Sequence, residues 1–170
     1  MHLVGVILSD NKNHKVAVLG GGSFGTAIAN MIANNNYTTS LWLRSEERAQ
    51  RIRESGENDD YLPGYPLCAA LEVGSDLQQV LNDADAVFFA IPSAVIRQVA
   101  REASQYLSAE TVIISTAKGI ESDSFMLPSQ ILEQEIPQCA VGVISGPNLA
   151  KEIAQFAITA TVIASDNERL

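Results

Sequence analysis

Apolar residues along the chain fall into short, nearly continuous runs, and amphipathic stretches separate these runs. Val16–Leu19 and Ala86–Ile91 are the clearest of the runs. Runs of this kind are typical of parallel strands that are covered on both faces of a sheet. We predict seven strands, at 15–19, 38–43, 71–73, 85–91, 111–115, 140–144 and 158–164.

The amphipathic stretches between these runs predict helices, and their ends carry recognisable boundary signals. Asparagines at 34–36 suit a helix end, because asparagine tolerates the left-handed conformation. Ser45 and Ser75 are predicted N-caps, and Pro92 suits a first helical turn. Pro128 lies inside one stretch, so a helix start at Pro128 itself stays open. The predicted helices are 23–34, 46–54, 76–81, 92–106, 124–135 and 149–155.

Strands that alternate with helices predict an α/β fold with a doubly wound, mostly parallel sheet. For the first six strands we expect the order 3-2-1-4-5-6. Residues 1–14 are interpreted as a leader, and residues 15–170 as one domain. Ser165–Glu168 is a helix start signal close to Leu170, which leads us to expect that the chain is part of a longer protein.

A glycine motif follows the first predicted strand and opens the first predicted helix. Gly20, Gly22 and Gly25 match G-x-G-x-x-G, the dinucleotide fingerprint of Rossmann-type folds. The first glycine permits a tight turn, the second lets backbone approach a diphosphate, and the third allows close packing of helix on strand. A purely structural glycine turn is the alternative. The strand before the motif and the helix after it favour a nucleotide site.

Composition and charge exclude non-specific binding of DNA or RNA. The chain has 170 residues, 46% of them hydrophobic, and a formal net charge of −9. An acidic chain of this kind is not expected to bind nucleic acid, because it would repel the phosphate backbone. Any anionic ligand must therefore be held by local groups such as helix N-termini and a few cations.

Cysteine and histidine usage gives no sign of a disulfide or a metal site. Cys68 and Cys139 form no C-x-x-C motif and are interpreted as free thiols in a reducing compartment. His2 and His14 have no ligand partners at metal-binding spacing. The apolar run 3–8 is too short to cross a membrane and has no cleavage site behind it. We predict a cytoplasmic protein without bound metal and without membrane insertion.

Ligands of open α/β sheets bind at the carboxyl ends of the strands, so residues there are the candidates for a site. Arg44 follows the second strand, where NAD-specific folds usually carry an acid. A guanidinium suits a 2′-phosphate, which favours NADP over NAD. A solvated surface cation is the alternative interpretation of Arg44. Glu46 and Glu47 leave NAD binding open as an alternative, although complementing the helix dipole is the preferred interpretation of these two acids.

Three further strand ends carry candidates. Pro92 is expected to shape the floor under the cofactor, or simply to start a helix. Lys118 is placed to hold an anionic or carbonyl substrate, although surface lysines are common. Gly146 precedes a helix start, and Asn148 there is either a ligand-binding amide or an N-cap.

These pieces together resemble the N-terminal cofactor domain of bacterial-type glycerol-3-phosphate dehydrogenases. The lysine and Ser-Gly-Pro motifs, in this order and spacing, are specific, whereas the glycine motif is generic. The resemblance covers the chain from about residue 15 to its end. The segments that carry it are Val18–Ala27, Asn58–Gly64, Phe88–Ser93, Thr116–Glu121 and Ser145–Glu152.

The resemblance implies reduction of dihydroxyacetone phosphate to sn-glycerol 3-phosphate with NADPH or NADH, for phospholipid synthesis. It also implies a proton-donating lysine on a C-terminal helical domain, so that this chain alone would be inactive. Lys118 would stabilise the developing oxyanion. Carried over by position, the cofactor contacts are Ser23, Phe24, Arg44, Lys118 and Ala150, and the substrate contacts are Lys118, Gly146 and Asn148.

Two positions depart from the usual family pattern. Asn148 stands where Ser or Thr is more common, which changes the donor geometry. Thr116-Ala117-Lys118 replaces the commoner Ala-Thr-Lys order. The sequence is silent on oligomeric state, and a homodimer of the full-length enzyme stays open.

Two other functions are compatible with the glycine motif. A regulatory NAD(P)-sensing domain would share the fold, yet it has no reason to aim Lys118 at a nicotinamide. A methyltransferase that uses S-adenosylmethionine would prefer an acid after the second strand, where this chain has Arg44.

Overall fold

The computed structural model describes residues 14–167, which form one sheet with helices on both faces. Its strands are β1 (Lys15–Leu19), β2 (Thr38–Trp42), β3 (Glu72–Gly74), β4 (Ala86–Phe89), β5 (Val112–Ser115), β6 (Ala140–Ser145) and β7 (Val162–Ala164). Its helices are α1 (Ser23–Asn34), α2 (Glu46–Ser55), α3 (Leu77–Leu81), α4 (Ser93–Ser104), α5 (Pro128–Glu135) and α6 (Ala150–Ala154). The predicted α/β class is confirmed.

The strand order in the sheet is β3-β2-β1-β4-β5-β6-β7. The first six strands therefore follow the predicted order, and all pairs among them are parallel. The order of the strands reverses between β1 and β4, which creates the switch point where doubly wound folds bind ligands. β7 is shorter than predicted and runs antiparallel to β6, with Val143 paired to Ala164.

The sheet separates two hydrophobic cores, because successive side chains of a strand point to opposite faces. Val16 and Val18 of β1 enter one core, and Ala17 and Leu19 enter the other. Helices α1, α2 and α6 cover the first core, whereas α3, α4 and α5 cover the second. Burial on both faces explains why the strands read as continuous apolar runs in the sequence.

Most predicted element boundaries lie within two residues of the observed ones. One predicted cap is wrong, and Pro92 is the N-cap of α4 and not part of its first turn. α1 has the predicted bounds, and Asn36 behind it is left-handed with φ of 65°. α5 starts at Pro128, at the first turn where a missing N–H costs nothing. The cap of α3 is Asp76, whose carboxylate accepts the N–H of Gln79 at 3.1 Å. Ser75 instead donates to Glu46 at 2.7 Å, so the carboxylate of the next residue takes the cap position.

The connection from 55 to 66, which begins at the last residue of α2, is a loop that is anchored to the domain. Leu62 is buried in the first core, and Asn58 is buried beside the glycine motif. The backbone closes on itself through a bridge between Glu57 and Pro66.

Two predictions concern the ends of the described chain. The predicted leader spans residues 1–14, of which 1–13 lie outside the described part. The helix expected from Ser165 reaches residue 168, which also lies outside it; up to Asn167 the backbone forms a bend. Within residues 14–167, no helix is both long and apolar enough to cross a membrane.

Candidate functional site

The glycine motif forms a tight turn between β1 and α1. Gly20 has φ of +124°, and a Cβ there would lie 2.3 Å from the carbonyl oxygen of Ala90. A Cβ on Gly25 would lie 1.9 Å from the carbonyl oxygen of Gly20. A larger residue at Gly20 would therefore push the turn away from the backbone behind β4, and a larger residue at Gly25 would push α1 away from the turn. Gly22 is different, because a Cβ there would meet nothing within 4 Å. The turn thus leaves free space in front of Gly22, at the N-terminus of α1.

Hydrogen bonds from α2, from the loop 55–66 and from Ser23 hold this turn in place. The carbonyl oxygen of Gly21 accepts a hydrogen bond from the Asn58 amide at 3.1 Å and one from the Arg48 guanidinium at 3.2 Å. The Ser23 hydroxyl donates to the carbonyl oxygen of Tyr61 at 2.6 Å. The loop 55–66 and helix α2 therefore fix the shape of the glycine turn.

A cleft of about 360 Å³ opens in front of the turn, at the carboxyl ends of β1, β2 and β4. This is the switch point of the sheet. The indole of Trp42 lies in its wall and is held by a bond from Nε1 to the carbonyl oxygen of Ser75 at 2.8 Å. The predicted site residues that line the cleft are Gly20, Gly22, Arg44 and Pro92.

Two arginines supply positive charge to the cleft. Arg44 is exposed at the end of β2, and within the described residues it makes no ion pair. Arg48, on the first turns of α2, pairs with Asp60 at 3.2 Å and lies 4.5 Å from the ring centroid of Tyr61. Arg44 therefore keeps its donors for a ligand, whereas Arg48 is engaged in the wall.

Lys118 lies in the loop that follows β5, beside the start of α4. The neighbouring Gly119 has φ of +100°, and a Cβ there would lie 3.6 Å from the hydroxyl of Ser93. Thr116 fastens the loop to β4 by bonds from its N–H and hydroxyl to the carbonyl oxygen of Phe89, both at 3.2 Å. Lys118 itself is exposed and does not line the cleft of Arg44.

Two further predicted residues, Phe24 and Asn148, line a second cavity of about 150 Å³. The carbonyl oxygen of the Asn148 side chain accepts the hydroxyls of Thr159 at 2.7 Å and Thr161 at 2.8 Å. Its NH₂ group is therefore the part left to donate to a ligand, because the oxygen is engaged twice.

Gly146 and Ala150 frame Asn148 without lining this cavity. Gly146 has φ of +147°, and a Cβ there would lie 2.6 Å from the carbonyl oxygen of Ala160. Ala150 is the first residue of α6 and packs against the first core. The glycine thus allows the close approach of the strand end to the segment before β7.

An ion-pair network holds the segment that follows Lys118. Arg97 of α4 bonds Glu121 at 2.7 Å and also contacts Glu135 of α5. Arg101 pairs with Glu135 at 2.8 Å. The hydrogen bond from Arg97, supported by one from Ser124, lowers the pKa of Glu121 to about 2. Bonds from Arg101 and Arg97 lower the pKa of Glu135 as well.

The structure thus places only part of the predicted residues in the two cavities: Gly20, Gly22, Arg44 and Pro92 line the cleft, and Phe24 and Asn148 line the second cavity. The predicted residues that line neither are Ser23, Gly25, Lys118, Gly146 and Ala150. The structure also adds residues that the sequence did not single out. Arg48 and Tyr61 are the main additions to the cleft. The signal for Arg48 was its place four residues after Arg44, which puts a second cation within reach of the same strand end. Among the described residues, no group of three or more His, Cys, Asp or Glu side chains is arranged to hold a metal ion.

Comparison with known proteins places this geometry in a family. The curated relative from Teredinibacter turnerae, named glycerol-3-phosphate dehydrogenase (NAD(P)+), is 52% identical over 154 residues, which are 91% of this chain and 45% of the relative. A protein of the same name from Saccharophagus degradans is 48% identical over 160 residues, 94% of this chain and 45% of that protein. The chain therefore spans about half the length of these relatives.

Solved structures agree with the sequence relatives. The crystal structure of glycerol-3-phosphate dehydrogenase from Coxiella burnetii matches with a TM-score of 0.87 and 32% identity, over 92% of this chain and 48% of that one. The Saccharomyces cerevisiae enzyme of that name matches with a TM-score of 0.81 and 29% identity, over 91% and 48%. The family profile described as "NAD-dependent glycerol-3-phosphate dehydrogenase N-terminus" matches residues 15–170. With this match over nearly its whole length, the chain belongs to the NAD-dependent glycerol-3-phosphate dehydrogenase family, as its N-terminal part.

Proposed function

We propose that this chain is the NAD(P)(H)-binding part of a glycerol-3-phosphate dehydrogenase. The observation that carries the proposal is the glycine turn. Two of its glycines are required by contacts with Ala90 and Gly20, whereas the space in front of Gly22 is free. A diphosphate fits this space, because the N–H groups at the start of α1 and the helix dipole attract an anion there.

The residues around the turn suit the rest of a dinucleotide. Gly22 and Ser23 would hold the diphosphate, while Gly20 and Gly25 would give the turn its shape. Arg44 would hold the adenosine end. Phe24 and Pro92 would border the nicotinamide end, with Ala150 close behind. The bound cofactor would supply a hydride, and the chain's own residues would bind and orient the reactants.

The preference of the site for NADP is the finer part of the proposal. Arg44 is exposed in the cleft and has no carboxylate partner among the described residues, so its guanidinium is available to a 2′-phosphate. Removal of this guanidinium in Arg44→Ala is expected to weaken NADPH binding at least tenfold and NADH binding less than twofold. Equal affinity for both cofactors, unchanged by Arg44→Ala, would contradict the preference.

For the whole protein we propose interconversion of dihydroxyacetone phosphate and sn-glycerol 3-phosphate, which would provide the backbone of glycerophospholipids. The relatives carry this dehydrogenase name. Lys118 would stabilise negative charge on the substrate oxygen, and Gly146 and Asn148 would bind the substrate. The proton donor would come from a C-terminal domain, so the 170-residue chain would be inactive alone.

The first experiment measures binding by this chain without any need for activity. Trp42 lies in the wall of the cleft and is the only tryptophan, so its fluorescence reports on occupancy. We expect saturable quenching with NADPH, and weaker binding of NADH. Failure of both cofactors to bind at millimolar concentration would refute the proposed function.

The second experiment uses a full-length protein that contains this chain. Lys118→Ala is expected to lower kcat at least a hundredfold while the affinity for NADPH changes less than threefold, because the lysine acts on the substrate. Asn148→Ala is expected to raise KM mainly. Cofactor binding with no reduction of dihydroxyacetone phosphate by the full-length protein would point to a sensing domain instead. Cytoplasmic location and a homodimer of the full-length protein stay predictions.

A further inference from the structure

We propose that Asn58, assisted by Arg48, is a positioning residue that sets dinucleotide affinity without touching the ligand. It does so by fixing the peptide between Gly21 and Gly22 with its N–H turned toward the diphosphate. This inference rests on the proposed function, because it assumes that the glycine turn binds the diphosphate of NAD(P)(H).

The contacts converge on one atom. The Gly21 carbonyl oxygen accepts from Asn58 at 3.1 Å and from Arg48 at 3.2 Å, from two different elements. Asn58 is 1% exposed, and its amide nitrogen also donates to the hydroxyl of Thr26 at 2.7 Å. Thr26 is fully buried near the start of α1. The side chain of Asn58 therefore links the loop 55–66 both to the turn and to the helix behind it.

The planar geometry of the peptide group relates the direction of the Gly21 carbonyl to that of the Gly22 N–H. In a planar trans peptide the C=O and the following N–H point in opposite directions. When the Gly21 carbonyl is held toward Asn58 and Arg48, the N–H of Gly22 points away from these two donors. The proposal places the diphosphate on that side of the peptide. The opposite orientation would present a carbonyl oxygen to an anion and would repel it.

The two hydrogen bonds to the Gly21 carbonyl matter because the turn consists of glycines. Residues 20–22 are three consecutive glycines, which can adopt many backbone conformations at similar free energy. Without the two donors, the peptide must be ordered when the ligand binds, and that entropy reduces affinity. The loop is itself anchored, because Leu62 is buried in the first core. Asn58 is thus a rigid support for the peptide.

The test compares ligands that have a diphosphate with one that lacks it. Asn58→Ala in the 170-residue chain is expected to weaken the binding of NADPH and of ADP-ribose about tenfold. A loss of this size corresponds to about one hydrogen bond to a charged group. The affinity for 2′-AMP, followed by NMR, is expected to change less than twofold, because 2′-AMP has no diphosphate bridge. Asn82→Ala, which removes an exposed amide bonded to Asp83, is the matched control.

Several outcomes would overturn the inference. Unchanged affinity for ADP-ribose in Asn58→Ala would show that the amide does not position the turn. An equal loss for ADP-ribose and 2′-AMP would show a general defect of the fold instead. If wild-type chain binds none of the three ligands, the proposed function fails, which is a separate result.

A second variant covers the case in which Asn58→Ala does not fold. Arg48 lies partly at the surface, and Arg48→Met keeps most of its apolar stem. The loss of affinity for ADP-ribose in this variant is expected to exceed the loss for 2′-AMP at least fivefold. Arg44→Ala should show the opposite pattern, in which the affinity for 2′-AMP falls and the affinity for ADP-ribose is unchanged. The same pattern in Arg48→Met as in Arg44→Ala would assign Arg48 to the 2′-phosphate and contradict its positioning role.

Discussion

At the scale of single residues, the glycine motif combines two different requirements. Gly25 is required by the fold, since a Cβ there would lie 1.9 Å from the carbonyl oxygen of Gly20. Gly22 is not required by any contact, because a Cβ there would meet nothing within 4 Å. The same residue type is therefore explained by packing at one position and by the expected ligand at the other.

This difference predicts opposite phenotypes for two alanine variants. Gly25→Ala is expected to lower the free energy of unfolding by about 1–3 kcal/mol, because the helix must move away from the turn. Gly22→Ala is expected to change it by less than about 1 kcal/mol while NADPH binding is lost. Urea unfolding and fluorescence titration measure the two quantities. A Gly22→Ala variant that binds NADPH as tightly as wild type would contradict the assignment of the free space to a diphosphate.

Ser115, at the end of β5, is a polar residue inside the hydrophobic core. Its hydroxyl is fully buried and has no hydrogen-bond partner among the described residues. Ser115→Ala is therefore expected to raise the free energy of unfolding by about 1 kcal/mol. Thr111→Val is the matched control at the other end of the strand, since the Thr111 hydroxyl donates to the carbonyl oxygen of Ala84 at 2.9 Å. This control should lower stability by about 1 kcal/mol, and a loss of stability in both variants would refute the argument.

At the scale of elements, the ion-pair network joins two helices to the segment behind Lys118. Arg97 on α4 contacts Glu121 in that segment and Glu135 on α5. The pairs are only partly exposed, with 20% exposure for the side chain of Arg97 and 19% for that of Glu121. The position of the loop after β5 therefore depends on charged contacts as well as on the strand.

The pKa of Glu121 gives this network a pH dependence. In the folded protein Arg97 and Ser124 lower that pKa to about 2, whereas in the unfolded chain the carboxyl has its ordinary value near 4.5. As pH falls below about 4.5 the unfolded state takes up the proton first, so stability is lost from there down to about pH 2. The contribution is fully present above pH 4.5.

The variant Glu121→Gln tests this pH dependence. Wild type is expected to be the more stable protein at pH 7, and the difference in the free energy of unfolding should vanish by about pH 2. Urea unfolding at several pH values measures it, and Glu133→Gln on α5 controls for the loss of one exposed carboxylate. A difference that stays constant from pH 7 to pH 2 would contradict the assigned pKa.

Elements with strong local signals were predictable, and those that depend on long-range contacts were not. The apolar run at 85–91 predicted β4, and Pro128 was one of two starts left open for α5, since proline suits a first helical turn. The cap of α3 was mispredicted because Ser75 and Asp76 are both good caps, and the distant Glu46 engages the serine. The antiparallel direction of β7 also follows from tertiary packing.

In the candidate site too, residues with a local signal could be predicted, and residues held by long-range contacts could not. Gly20, Gly22 and Arg44 could be placed because each follows a strand whose carboxyl end faces the switch point. The role of Arg48 could not be foreseen, since its bond to the Gly21 carbonyl joins residues 27 apart in sequence. Likewise, the orientation of the Asn148 amide depends on two threonines that precede β7.

At the scale of the whole molecule, positive side chains lie in the cleft although the chain as a whole is acidic. The formal net charge is −9, yet the cleft at the switch point contains Arg44 and Arg48. The N-terminus of α1 contributes further positive potential at the glycine turn. An anionic dinucleotide can therefore bind one place on a molecule that repels polyanions elsewhere.

The edge of the sheet beyond β5 and β6 carries exposed apolar side chains. Phe156 is 65% exposed and Ile158 is 95% exposed, both in the segment between α6 and β7. Further exposed apolar side chains lie behind β5 (Ile120, Phe125 and Leu127), behind β6 (Leu149) and in β7 (Val162). Because the relatives are about twice as long as the matched region, we propose that a C-terminal domain covers this edge in the whole protein.

This proposal predicts how the chain differs from the full-length protein. The 170-residue chain is expected to bind the apolar dye ANS, and the combined Phe156→Ser and Ile158→Lys variant should bind it at least threefold less, because the two most exposed side chains between α6 and β7 are removed. Gln78→Lys on α3 controls for the added charge. A full-length protein should bind little dye in either form. Strong dye binding by full-length protein that falls in the Phe156 and Ile158 variant would show that the second domain packs elsewhere.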